Sequence, residues 1–140
     1  MYSAGSVYYS YGTAGDECDA DVSVMDKKLI RKSDKKVLAE KCFFAVTPVQ
    51  RFLGMMGRRF ASVDFDAMVF DRCNAIHCCW MREAIDVLFV TSDLEVVKVC
   101  HHVKPWCLAW GGKNAAMTIE LPAGVLEVCR VDAGECLEFE

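Results

Sequence analysis

No uninterrupted apolar run in this chain exceeds a few residues, which excludes a membrane-spanning helix. There is no Cys-x-x-Cys or His-x₃-His pair, no cofactor-binding motif and no catalytic-triad signature, so neither a structural zinc site nor any other metal or cofactor is expected. Lysine and arginine are scattered through a chain of net charge -4. The clustered cations that phosphate backbones require are therefore missing, and no nucleic-acid partner is expected. The densest basic stretch, Lys27 to Lys36, reads as the solvated face of a hairpin. Met1 to Tyr11 lacks the basic start and apolar core of a secretory leader, which predicts a cytoplasmic protein. The nine cysteines, an odd number, are then expected as reduced thiols that mostly fill core volume.

What is present is material for one hydrophobic core. Of 140 residues, 54% are hydrophobic, enough to bury a single domain. Residues 1–26 are rich in Ser, Gly, Tyr and Asp without a sustained period and predict a flexible tail; 27–140 predict one β-rich domain. Lys28 to Lys32 and Val37 to Val46 flank the polar turn Ser33-Asp34, a hairpin signal. Thr47-Pro48-Val49-Gln50 opens a helix, with Thr as N-cap, Pro at the first helical position and Gln closing a capping box. Val49, Phe52, Leu53 and Met56 form an apolar stripe at helical spacing, so this helix should lie across a sheet, ending at Gly54 or Gly57.

Beyond Phe65 the pattern predicts strands at Asp66 to Phe70, Ile76 to Met81, Asp86 to Thr91, Glu95 to His101, Pro105 to Trp110, Ala115 to Leu121, Val125 to Val131 and Glu135 to Phe139. Short strands so spaced predict a compact antiparallel β-barrel or sandwich-like sheet with one or two short helices, rather than parallel βαβ units.

Chemistry is concentrated between Ile76 and Val90. An extended Ile76 to Met81 would set His77, Cys79 and Met81 on one face and Cys78, Trp80 and Arg82 on the other. A Cys79 nucleophile activated by His77 needs contact within about 3 Å, whereas same-face neighbours of a flat strand stand about 6 to 7 Å apart. Asp86 sits in the apolar segment Ile85 to Val90, where a carboxylate is costly without a partner. Arg82 and Arg58 are the candidates, since a guanidinium clamps a carboxylate with two charge-assisted bonds.

Arg51-Phe52-Leu53-Gly54-Met55-Met56-Gly57-Arg58 resembles the Arg-x-x-Gly-Leu-Met-x-Arg segment of family 192 of the domains of unknown function, which is bacterial and archaeal. His77, Met81, Arg82, Ile85, Asp86, Val87 and Phe89 resemble that family's His-Thr-Phe-x-Met-Arg-x-x-Ile-Asp-hydrophobic-x-Phe stretch. Pro105-Trp106 and Glu120-Leu121-Pro122-Ala123-Gly124 match two further landmarks, and the likeness runs from about Leu29 to Phe139. It implies a compact, mainly antiparallel β-fold with one or two short helices and names no reaction. This chain departs from the pattern at Cys78, Cys79, Trp80, Glu83, Ala84 and Glu135.

These readings converge on a non-enzymatic accessory or small-ligand-binding module. Its candidate site gathers Arg51, Arg58, His77, Met81, Arg82 and Asp86 and suits an anionic or carbohydrate-like ligand. The alternatives are a hydrolase or thiol enzyme using His77 with Asp86 or Cys79, and a structural protein-interaction module, which would expose a large apolar patch.

Overall fold

The computed structural model describes residues 24–140. Most of the expected tail lies outside the described residues, but its end is paired: β1 (Val24–Met25) runs antiparallel to β4 (Cys42–Phe44). The Ser33-Asp34 turn joins β2 (Leu29–Arg31) to β3 (Val37–Ala39) as expected. Within that turn region Arg31 is more than a solvated cation. It binds Asp34 and Glu135 and donates at 2.9 Å to the carbonyls of both Cys129 and Arg130.

The central sheet has six strands in the order β1-β4-β5-β10-β7-β8, with β5 (Ala67–Asp71), β7 (Ile85–Val90), β8 (Val96–Val103) and β10 (Met117–Pro122). β1 and β8 stand at its edges, so the sheet is open and the described residues form no closed barrel. All its pairings are antiparallel except β4 with β5. That parallel pair requires a crossover, and the crossover carries helix α1 (Pro48–Leu53) and a 3-10 turn at Phe60–Ser62. One βαβ-like connection is thus present where none was expected.

Period-two alternation sorts the central strands between two cores. Cys42, Phe44, Ala67, Val69, Leu88, Val90, Ile119 and Leu121 face a core closed by Leu29, Leu38 and Leu137 of the second sheet, β11-β2-β3, where β11 is Leu137–Phe139. Phe43, Met68, Phe70, Ile85, Val87 and Phe89 face the opposite core. There Met55, Phe60, Phe65, Cys78 and Met81 cover the sheet, beside the two-stranded ribbon of β6 (Ala75–His77) and β9 (Leu108–Trp110). The result is three layers with β7 buried on both sides.

Three sequence expectations fail for identifiable reasons. Val125 to Val131 is not a strand: Val125–Cys129 forms α2, with Leu126 and Cys129 buried at i and i+3. The left-handed Gly124 turns the chain there, and backbone donors at the start of the helix find an acceptor outside it. Ile76 to Met81 leaves the strand after His77, because Trp80 is left-handed (φ 59°) and the Cys78 carbonyl accepts from Trp106 N and Met81 N instead of a strand neighbour. Pro105 to Trp110 is likewise a strand only over its last three residues, Trp106 being left-handed (φ 66°).

The helix signal at Thr47 is realised in full. Thr47 Oγ1 accepts from Gln50 N, and Gln50 Oε1 accepts from Thr47 N and Val46 N. Yet the helix does not lay its stripe on the sheet. No α1 residue is buried, and Val49 and Phe52 are 65% and 67% exposed. The residue that anchors this segment is Met55, two residues beyond the helix.

Candidate functional site

Two carboxylic acids are buried in neighbouring strands of the central sheet, and alternation sends them to opposite faces. Asp86 on β7 shares its face with Leu88 and Val90; Glu120 on β10 shares its face with Thr118, away from Ile119 and Leu121. Their surroundings differ completely.

Asp86 is fully buried and fully engaged. Its Oδ1 accepts from His102 N, and its Oδ2 accepts from Gly124 N and Leu126 N, each at 3.0 Å. One side chain thereby ties β8 and the start of α2 to β7 and satisfies orphan donors of a helix N-terminus. The expected ion pair is not formed: Asp86 pairs with neither Arg82 nor Arg58, both of which are exposed. The physical reason is that backbone amides already supply its hydrogen bonds, at no cost in ordering a long cationic side chain.

Glu120 is 4% exposed, and its Oε2 has no hydrogen-bond partner among the described residues. Burial alone pushes its carboxyl up to about 8, since no cation lies close enough to hold it ionised. At neutral pH it is largely a neutral acid, able both to donate and to accept. An unsatisfied buried polar atom is rare in a folded protein, and the residue that carries this one is part of the lining of a cavity of about 130 Å³.

The cavity lies between α1 with its following turn, the end of β5, β6 and β10. Its walls are mainly apolar, with Phe70, Ile76 and Met81 inside and Phe52 and Leu53 of α1 at the exposed rim. Arg51 adds a cation. Its Nη1 donates to the Asp71 carbonyl at 2.7 Å, and among the described residues it pairs with no carboxylate. His77 on exposed β6 completes the polar lining with Cys73.

Of the six candidates read from sequence, Arg51, His77 and Met81 therefore meet in this cavity. Arg58 borders a separate groove of about 270 Å³ with Val49, Gln50 and Met68. Arg82 and Asp86 line neither. The proposed His77–Asp86 dyad is absent because Asp86 faces the other core. Among the described residues no hydrogen bond joins His77 to Cys79 either, and the shared face on which that pairing relied ends with the strand at His77. Burial pushes the Cys78 thiol up to about 12, aided by Glu120 nearby, so it is no nucleophile at neutral pH. Among the described residues no group of three or more His, Cys, Asp or Glu could hold a metal ion.

Glu120 is the residue that sequence reasoning passed over. The signal was available: Met117 to Leu121 places an acid inside an apolar segment, the same feature that singled out Asp86.

A three-layer, mainly antiparallel β protein with a small cavity under a capped helix is the class these observations define. The sequence profile of family 192 of the domains of unknown function (DUF192, an Uncharacterized ACR) matches residues 29–139, and the chain belongs to that family. It is 38% identical over 98 residues to a UPF0127 protein of Pyrococcus furiosus, spanning 69% of this chain and 84% of the relative. A UPF0127 protein of Thermococcus sibiricus is 33% identical over 118 residues, 80% of this chain and 74% of that one. A crystal structure from Sinorhizobium meliloti 1021, described as a candidate transcription regulator, superposes with a TM-score of 0.69 at 25% identity, over 84% of this chain and 92% of the other. A protein of unknown function from Novosphingobium aromaticivorans superposes with a TM-score of 0.68 at 16% identity over 91% and 93%, a likeness of fold alone. No helix among the described residues is long and apolar enough to cross a membrane.

Proposed function

We propose that this protein is a small-ligand-binding module whose site is the cavity between α1 and β10. The observation that carries the reading is Glu120, a residue of the cavity lining whose buried Oε2 has no hydrogen-bond partner among the described residues. Leaving such a group unmet costs about 1–3 kcal/mol, and a ligand atom that meets it recovers part of that cost. Arg51 and His77 supply orientation, while Met81, Phe70 and Ile76 supply apolar contact, the usual division of labour in a binding pocket. The volume is that of a compact group: an engineered cavity of about 150 Å³ holds benzene. Of the anionic and carbohydrate-like ligands suggested by the sequence, the apolar walls favour the smaller anions over a polyhydroxylated ring, which would leave hydroxyls unpaired.

A thermal-shift screen with small anions, amides and monosaccharides tests this reading. A ligand present well above its Kd raises the melting temperature, and Glu120→Ala reduces that gain. A screen in which no compound raises it would remove the support.

A second reading, a protein-interaction module, is favoured by one observation. Trp80, Trp106, Leu108 and Trp110 are all more than half exposed, and Trp80 meets Trp106 edge to face at 4.8 Å. Clustered exposed aromatics are typical of interfaces. Sedimentation across a concentration series tests self-association through this ridge; a Leu108→Ser, Trp110→Ser variant that sediments no differently from the parent argues against it.

A further inference from the structure

Resting on the ligand-binding reading above, we infer that the cavity takes a small monocarboxylate, placed between Arg51 and Glu120 and held by a hydrogen bond that the Glu120 carboxyl donates. Three observations select this class. The buried end of the cavity offers one carboxyl with an unmet oxygen, and its wall offers one guanidinium free of any carboxylate among the described residues. Apart from His77 and Cys73, the rest of the lining is glycine, alanine, methionine, phenylalanine or aliphatic, and the space fits only a group of a few heavy atoms.

Charge then decides. A neutral Glu120, a cationic Arg51 and a single negative charge sum to zero in an apolar enclosure. A dianion such as phosphate leaves an uncompensated charge there, which is costly. A neutral amide leaves the Arg51 charge facing no anion and forgoes a charge-assisted bond. Carboxylate and protonated carboxyl share one proton in a short hydrogen bond, the arrangement two neighbouring carboxyls adopt because they cannot both ionise cheaply. The short apolar tail of the ligand would lie along Met81 and Ile76 toward Phe52 and Leu53 at the rim, which explains why α1 keeps apolar side chains exposed there.

Binding is accordingly linked to protons. When Glu120 is ionised, it repels the ligand unless a proton is taken up from solvent, so affinity falls as pH rises through the titration of Glu120. The other ionisable groups around it are Arg51 from α1, Cys73 from the turn after β5 and His77 from β6, which line the same cavity, and the Cys78 thiol beyond them; its cross-strand partners, Met68 of β5 and Val87 of β7, do not ionise.

The test is calorimetric titration of the full chain with butyrate at pH 7.5 and pH 9.5, with butyramide as the uncharged isostere. The expected results are butyrate binding at pH 7.5, a loss of about tenfold or more at pH 9.5, and little binding of butyramide. Glu120→Gln, which keeps a donor and the volume, should bind butyrate equally at both pH values, and Arg51→Met should weaken it by about tenfold or more. Should Glu120→Gln not fold, carbon-detected NMR of the parent serves instead, with butyrate moving the Glu120 midpoint upward. Butyramide binding as tightly as butyrate would overturn the carboxylate assignment and leave the ligand-binding site standing, and pH-independent butyrate binding would overturn the proton link. Failure of butyrate while another compound of the wider screen binds also overturns only this inference. Failure of every compound overturns both readings.

Discussion

Asp86 and Glu120 show how the same residue type in the same kind of strand takes opposite roles according to what its neighbours donate. Asp86 accepts three backbone amides and serves as mortar between β7, β8 and α2. Removing it leaves three backbone donors without their acceptor, one buried and two part-buried, so Asp86→Ala should lower the unfolding free energy by about 3 kcal/mol in urea denaturation. A loss below about 1 kcal/mol would show that water replaces the carboxyl without penalty. Glu120 makes the contrasting prediction. Its proton is retained in the native state up to about 8 but leaves the unfolded chain near its ordinary value of 4.5. Between those values the native state binds one more proton, so this group's contribution to stability declines with rising pH by about 1.4 kcal/mol per unit and is constant above about 8. Glu120→Gln removes that slope: the variant should gain on the parent from pH 5 to pH 8, measured by urea midpoints. Equal slopes for parent and variant would contradict it.

At the scale of elements, what could be read from sequence was whatever is decided locally. The α1 start is fixed by Thr47, Pro48 and Gln50 acting on their own backbone, and it appears where those residues place it. Because α1 buries no side chain, its capping box is a large share of what holds it, and Thr47→Ala should cost about 1 kcal/mol and speed amide exchange at Gln50 and Arg51. Unchanged exchange would indicate that Met55 alone anchors the segment. α2 was illegible because Val125 to Cys129 alternates as well as it turns, and the deciding donor-acceptor pairs come from Asp86, some forty residues away. The strand after Ile76 was misjudged in its extent for a similar reason. Trp80 and Trp106 adopt left-handed backbone fixed by bonds between the two turns, Cys78 N to Cys107 O and Trp106 N to Cys78 O at 2.8 Å each.

At the scale of the whole molecule, alternation predicted mainly antiparallel sheets and the central strands, but not which face each buried acid would meet. Pattern identifies residues that leave water; it does not say which cover lies over them. Arg51, His77 and Met81 accordingly line one cavity, while Asp86 faces the other core and binds backbone amides there. The layers also set a packing limit. Gly111, just after β9, lies against the fully buried Phe89 of β7, and a Cβ there would sit 2.4 Å from the ring. Gly111→Ala should therefore push the ribbon off the central sheet and cost about 1–3 kcal/mol by thermal or urea denaturation; a neutral effect would mean the ribbon packs more loosely than these distances allow.

The account as a whole turns on one group, and its titration can be followed directly. Carbon-detected NMR of the Glu120 carboxyl across pH 3 to 10 should give a midpoint near 8, well apart from the other carboxylates. A midpoint near 4.5 would mean that Glu120 is solvated or paired, and the cavity would then hold no unmet acid to receive a ligand.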